Sequence, residues 1–181
     1  MSIAEILKGQ FCVLDTETTG LDQRAEIVSI AIVDQDGQTL LNTLVKPTRP
    51  IPPDATRIHG ITNEAVADAP SWAEVYVQVK QIISGHPLII YNAEYDIAML
   101  YQSSDLANVA PVNWVNLPSD VACAMIEYAK VWGEWNDYYE SYRWQKLTAA
   151  CQQQGIEVVG AHGALADALM TLKLCRKVWG T

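Results

Sequence analysis

The chain has 181 residues, half of them hydrophobic and 18% charged, and carries a formal net charge of −9. This composition excludes a disordered chain, and the length fits one domain, residues 1–181, built on a single sizeable core. The acidic balance excludes a protein that coats nucleic acid through a broad basic face, but not an enzyme that grips only a chain end. Residues 11–14, Phe-Cys-Val-Leu, form a short apolar run of the kind expected for a strand buried on both faces, and Thr19-Gly20 marks a turn. Residues 27–33 read as a second strand, Asp36-Gly37 as a tight hairpin turn, and residues 40–45 as the partner strand. Pro47, Pro50, Pro52 and Pro53 then interrupt regular structure ahead of a short turn or helix at 54–58. After Ser71, a plausible N-cap, Trp72, Val75, Val79, Ile82 and Ile83 recur at helical spacing. Residues 87–91 read as another buried strand, 94–101 as a helix, and 119–131 as helical again. Leu165, Leu169, Leu172 and Cys175 give the closing helix a half-apolar face. Periodicity thus predicts three strands, a helix, a strand and a helix, followed by further helices: an α/β fold with a mixed sheet.

The cysteines stand at 12, 123, 151 and 175, with no CxxC pair and no His/Cys cluster at zinc spacing. No N-terminal apolar leader and no run of about 18 apolar residues is present. The expectation is reduced thiols in the cytoplasm and no membrane association.

Three short pieces carry potential chemistry. In the first, Asp15-Thr16-Glu17-Thr18, residues two apart in a strand face the same way, so Asp15 and Glu17 project together. Paired carboxylates repel unless a cation lies between them, and their hard oxygens suit Mg²⁺ or Mn²⁺. The same stretch, continuing to Thr19-Gly20, also reads as a solvated turn. In the second piece, Asn92-Ala93-Glu94-Tyr95-Asp96, Asp96 serves equally well as a helix-favouring acid. In the third, His162-Gly163-Ala164-Leu165-Ala166-Asp167, Asp167 lies beside an apolar face and needs a partner if buried. His162 sits among small neighbours, and imidazoles, titrating near about 6.5, suit proton abstraction near neutrality. A capping or merely exposed histidine is the bland alternative.

Taken in order, DxET, NxxxD and HxxxxD resemble the three motifs of the DEDDh (DnaQ-like) 3′→5′ exonuclease family, and the match runs from Val13 to Asp167. Ile58-His59-Gly60-Ile61-Thr62 is similar to a segment that epsilon-like members carry between the first two motifs. The resemblance implies a ribonuclease-H-like fold, a central mixed five-stranded sheet flanked by helices, and release of nucleoside 5′-monophosphates from 3′ ends. It further implies two Mg²⁺ or Mn²⁺ ions: Asp15, Glu17 and Asp167 on one, Asp15 bridging to a second, and Asp96 supporting that second ion directly or through water. His162 would act as general base, and Thr18, Leu21, Ile58 and His59 would lie near the terminal nucleotide. For Leu21 and Ile58, core packing is an equal reading.

Two departures from the family pattern stand out. Glu94 occupies a slot where a small or neutral residue is more usual, yet on a helix it lies about 200° from Asp96 and faces elsewhere. The run Trp132, Trp135, Tyr138, Tyr139, Tyr142, Trp144 falls between the second and third motifs. Such aromatics can stack on bases, but their spacing also fits a helix packed on the core. Glu134, Asp137 and Glu140 in the same run oppose a phosphate track. The run therefore reads as core packing or as a surface for a protein partner or self-association. The expected activity is that of a freestanding exonuclease on nucleic-acid 3′ ends, DNA ahead of RNA, because the chain stops soon after its final helix. A polymerase-bound proofreading subunit and a catalytically silent binding module are the alternatives.

Overall fold

The computed structural model describes residues 1–180. In chain order its elements are α1 (Ile3–Ile6), β1 (Cys12–Thr18), β2 (Ile27–Asp34), β3 (Thr39–Leu44), α2 (Pro53–His59), α3 (Trp72–Ile83) and β4 (Pro87–Ile90). They continue with α4 (Ala93–Leu106), β5 (Asp120–Cys123), α5 (Ala124–Trp132), β6 (Trp135–Asn136), β7 (Ser141–Tyr142), α6 (Leu147–Gln153) and α7 (Ala164–Trp179). Five strands form a mixed sheet in the order β3-β2-β1-β4-β5. β1 pairs antiparallel with β2 and parallel with β4, and β4 pairs parallel with β5.

Strand alternation sorts the core into two layers. Leu14, Ile30 and Ile32 point to the face covered by α3 and α4, where they meet Trp72, Val79, Ile97 and Leu100. Val13, Val33 and Ile89 point to the other face, against Tyr128 of α5 and Met170, Leu172 and Leu174 of α7. Each fully buried aliphatic side chain contributes about 1.5–3 kcal/mol, so these layers fix the register of β1. α3 begins at Ser71, whose backbone N–H and hydroxyl both donate to the Glu74 carboxylate at 2.7 Å, tying the N-cap to the first turn.

The structure departs from periodicity in three places. Residues 120–123, expected to be helical, form β5, a four-residue strand held by its register with β4. Such a strand is too short to show a period of its own, and pairing decides it. β1 runs past Leu14 through the acidic piece to Thr18, because β2 supplies partners along that whole length. The aromatic run is not a helix and does not pack on the core. Beyond Trp132 it forms the two-stranded hairpin β6–β7, which leaves Tyr138 85%, Tyr139 72% and Trp144 61% exposed. Among the described residues, no helix is long and apolar enough to cross a membrane.

Candidate active site

The carboxyl ends of β1 and β4 lie side by side where the sheet changes from antiparallel to parallel pairing, the usual place for a ligand crevice in an α/β sheet. Asp15 and Glu17 stand near the end of β1 on the face that Val13 also occupies, toward α7. Asp167 comes from the first turn of α7. Carboxylate oxygens of Asp15, Glu17 and Asp167 all lie within 4.8 Å of one another.

Asp96 reaches the same strand from the opposite side. It sits in the first turn of α4, only 4% exposed, and accepts a 2.7 Å hydrogen bond from the Thr16 hydroxyl. Thr16 is thus the strand residue that anchors the fourth acid, a role invisible in the sequence until α4 is known to cover its face. Asp96 thus joins the other three from α4, and its charge acts on both Asp15 and Glu17. Glu94 is exposed, as its helical offset from Asp96 predicts.

Burial raises every one of these acids, and neighbouring negative charge adds to the rise at Asp15 and Glu17. Burial is the main cause for Asp15, reinforced by Asp96, Asp167 and Glu17. Glu17 is pushed up to about 7 by burial, then by Asp167 and Asp96. Asp96 also rises to about 7, burial outweighing the hydrogen bond from Thr16. Asp167 is raised by burial and held back by the His162 backbone N–H, which donates to its Oδ1 at 3.3 Å. Among the described residues no lysine or arginine pairs with any of the four. A donor set of hard oxygens, mutually repelling and without a protein cation, fits a divalent metal ion.

His162 lies at the approach to α7, exposed, with φ of 66°. That conformation is uncommon for a residue with a side chain and costs of order 1–3 kcal/mol, so the surrounding structure must impose it. Gly160, also at positive φ, turns the chain into this approach. His162 is tied to Asp167 through its backbone, while among the described residues its ring makes no hydrogen bond. The structure thus places His162 beside the acids but outside the three-carboxylate group.

A cleft of about 460 Å³ opens next to Glu17, and Thr18, Leu21, Ile58 and His59 all line it. Leu21 is 87% and Ile58 61% exposed, so neither is a core residue. His59 has both ring nitrogens engaged: Nδ1 accepts from the Ile61 N–H at 3.0 Å, and Nε2 faces the Thr18 carbonyl at 3.2 Å. Because Nδ1 accepts, Nε2 carries the proton and donates it to Thr18, while burial lowers the ring's pKa. His59 therefore holds α2 against the end of β1, and its polar atoms are already committed.

Tyr95, which the sequence did not single out, closes the cleft from α4. Its hydroxyl lies 2.5 Å from the Thr18 hydroxyl and 2.8 Å from the Gly20 carbonyl. The signal was present in its position immediately before Asp96, which sends it to the β1 turn as Asp96 goes to Thr16.

Comparison with known proteins agrees with this geometry. The family model RNase_T, described as an exonuclease, matches residues 12–175. The exonuclease CP81 of Escherichia phage 186, itself uncharacterized, is 45% identical over 161 residues, which are 88% of this chain and 82% of that one. DNA polymerase III subunit epsilon of Pasteurella multocida is 33% identical over 168 residues, 86% of this chain, and the match spans only 62% of its length. Exonuclease X, solved in complex with 5′ overhanging duplex DNA, superposes with a TM-score of 0.66 at 27% identity, covering 94% of this chain and 93% of that one. E. coli exonuclease I, solved with a dT13 oligonucleotide, gives a TM-score of 0.78 at 17% identity, a likeness of fold, over 96% of this chain and 41% of that one.

Proposed function

The chain belongs to the RNase_T exonuclease family, of DEDDh type and ribonuclease-H-like fold, and from that premise we propose that it is a freestanding, metal-dependent 3′→5′ exonuclease acting on DNA. The observation that carries the proposal is the convergence of Asp15, Glu17 and Asp167 within 4.8 Å, beside a cleft walled by Thr18, Leu21, Ile58 and His59. Asp15, Glu17 and Asp167 would hold one divalent cation, Mg²⁺ or Mn²⁺, and Asp15 and Asp96 a second. When bound, such a pair supplies the positive charge that stabilises the attacking and leaving oxygens of an in-line displacement.

The protein's own groups do the rest. Leu21 and Ile58 offer apolar surface to the terminal base, while the Thr18–Tyr95–Gly20 contacts hold the wall between them and the acids. His162, exposed at the approach to α7, takes the proton of the attacking water, a general-base contribution of about 10²–10⁴-fold. Its backbone bond to Asp167 keeps base and acid in one frame.

The relative at 45% identity is named as an exonuclease, which supports the nuclease chemistry. The similarity to epsilon supports a second reading, a proofreading subunit of a polymerase assembly. One assay separates the main points: 5′-labelled DNA and RNA oligonucleotides, single-stranded and duplex, with Mg²⁺ or Mn²⁺. The expected result is a ladder shortening from the 3′ end with nucleoside 5′-monophosphates as products. Immediate release of the 5′ label would reverse the assigned direction, and intact substrates throughout would remove the enzymatic reading. Activity that appears only after addition of a polymerase would select the second reading.

A further inference from the structure

The aromatic hairpin lies outside the family pattern, and its surroundings connect it to the site. The cleft beside Glu17 shares Leu21, Asp22 and Tyr95 with a second depression of about 390 Å³. That depression shares Glu94 with a third, of about 530 Å³, whose far wall includes Trp135, Tyr142 and Trp144. The three depressions thus adjoin one another, from the end of β1, past the start of α4 and beside α5, to the hairpin. At its end, Trp135 and Tyr142 meet edge to face at 5.1 Å between ring centroids, which fixes the ring planes rather than letting them collapse together. Trp135 is 49%, Tyr142 42% and Trp144 61% exposed, so flat apolar surface lines this end of the row.

We propose that this hairpin is a stacking platform for the single-stranded segment that leads into the cleft, taking bases several nucleotides upstream of the 3′ end on Trp135, Tyr142 and Trp144. The proposal rests on the exonuclease reading and names the form of its substrate. Adjacency to the cleft selects the occupant: a chain whose terminal nucleotide sits beside Glu17 has this row of depressions along which to leave. Charge selects its orientation. Asp22, Glu94 and Glu140 line the same row, and its Lys130 is paired with Glu127 at 2.6 Å. Phosphates are therefore disfavoured at the wall and turn to solvent, while the bases, which carry no charge, face the rings. An acidic protein gains a grip on a single strand in this way without a basic track.

The test compares the wild type with Trp135→Ala/Trp144→Ala, and with Trp144→Phe, on dT3 and dT12. Wild type is expected to prefer dT12. The double variant should lose about tenfold or more in kcat/KM on dT12 through KM, flattening the length preference, and Trp144→Phe should keep most of it. Anisotropy binding of labelled dT12 in Ca²⁺ reads the platform independently of turnover. A tenfold weaker Kd for the double variant supports the platform even if no oligonucleotide is cut, a result that would remove the exonuclease reading alone. Equal Kd values overturn the platform. The wild-type Kd should also vary little with salt, and a steep dependence would assign the grip to phosphates and overturn stacking. A double variant that changes oligomeric state in size-exclusion chromatography, while keeping its length preference, would make the hairpin a self-association surface instead.

Discussion

The acid cluster and the aromatic hairpin break the ordinary burial rule in opposite directions. At the end of β1 the protein gathers four carboxylates with no lysine or arginine among them, and Asp96 is almost wholly buried. At β6–β7 it leaves large aromatic rings in water. Soluble proteins ordinarily do neither, since an unpaired buried charge and a contiguous exposed apolar patch both cost free energy. The two regions differ in what enforces the arrangement. The acids are held by elements that the core cannot do without, β1, α4 and α7. The hairpin is two strands of two residues each, attached mainly at α5. The acid site is thus rigid and strained by charge, whereas the hairpin is a light attachment whose side chains are free to change without cost to the fold.

Substitutions should expose that contrast. Replacing Asp15 with Ala should abolish hydrolysis, by on the order of 10³-fold or more, since it is the one acid assigned to both proposed cations. Steady-state rates on labelled DNA measure this, and a variant within tenfold of wild type would dismiss the acid cluster as the reaction centre. His162→Ala should lower kcat by about 10²-fold at neutral pH with the melting temperature little changed. Full activity in that variant would leave the acids in place but remove the general base.

The acids should also write a pH signature into stability. Glu17 and Asp96 titrate at about 7 in the folded protein, against about 4 for such carboxyls in an unfolded chain. A folded-state pKa that is raised means stability fully present below about pH 4 and progressively lost as pH climbs to about 7. Thermal melts in EDTA should show this contribution, Asp167→Asn should reduce it by removing the charge that reinforces burial at Glu17 and Asp15, and Mg²⁺ at neutral pH should restore what the rise in pH removed. A variant with the same slope as wild type would mean that the acids do not act on one another through folding. The smallest effect belongs to the hairpin: Tyr138→Ala, at a residue 85% exposed, should shift stability by no more than about 0.5 kcal/mol in denaturant titration. A larger loss would show the hairpin to be part of the core after all.

The sequence by itself determined the local part of this protein. The alternation of β1 placed Asp15 and Glu17 on one face, helical spacing turned Glu94 away from Asp96, and the order of the three acidic pieces identified the family. Those features depend on residues a few positions apart, where backbone geometry alone dictates direction. The tertiary structure decided what depends on contact between distant segments. Asp167 joins a pair lying some 150 residues earlier only because α7 packs on the β1 face that carries them. Asp96 is fixed by Thr16, which strand alternation alone sends away from the other acids. β5 exists through its pairing with β4, both ring nitrogens of His59 are committed because Ile61 and Thr18 flank it, and Leu21 and Ile58 became cleft walls because no layer of the fold covers them. The aromatic run has the same physical explanation: helical spacing describes the rings along the chain, but exposure is a property of what packs against them, and at β6–β7 the core has already been closed by α5 and α7.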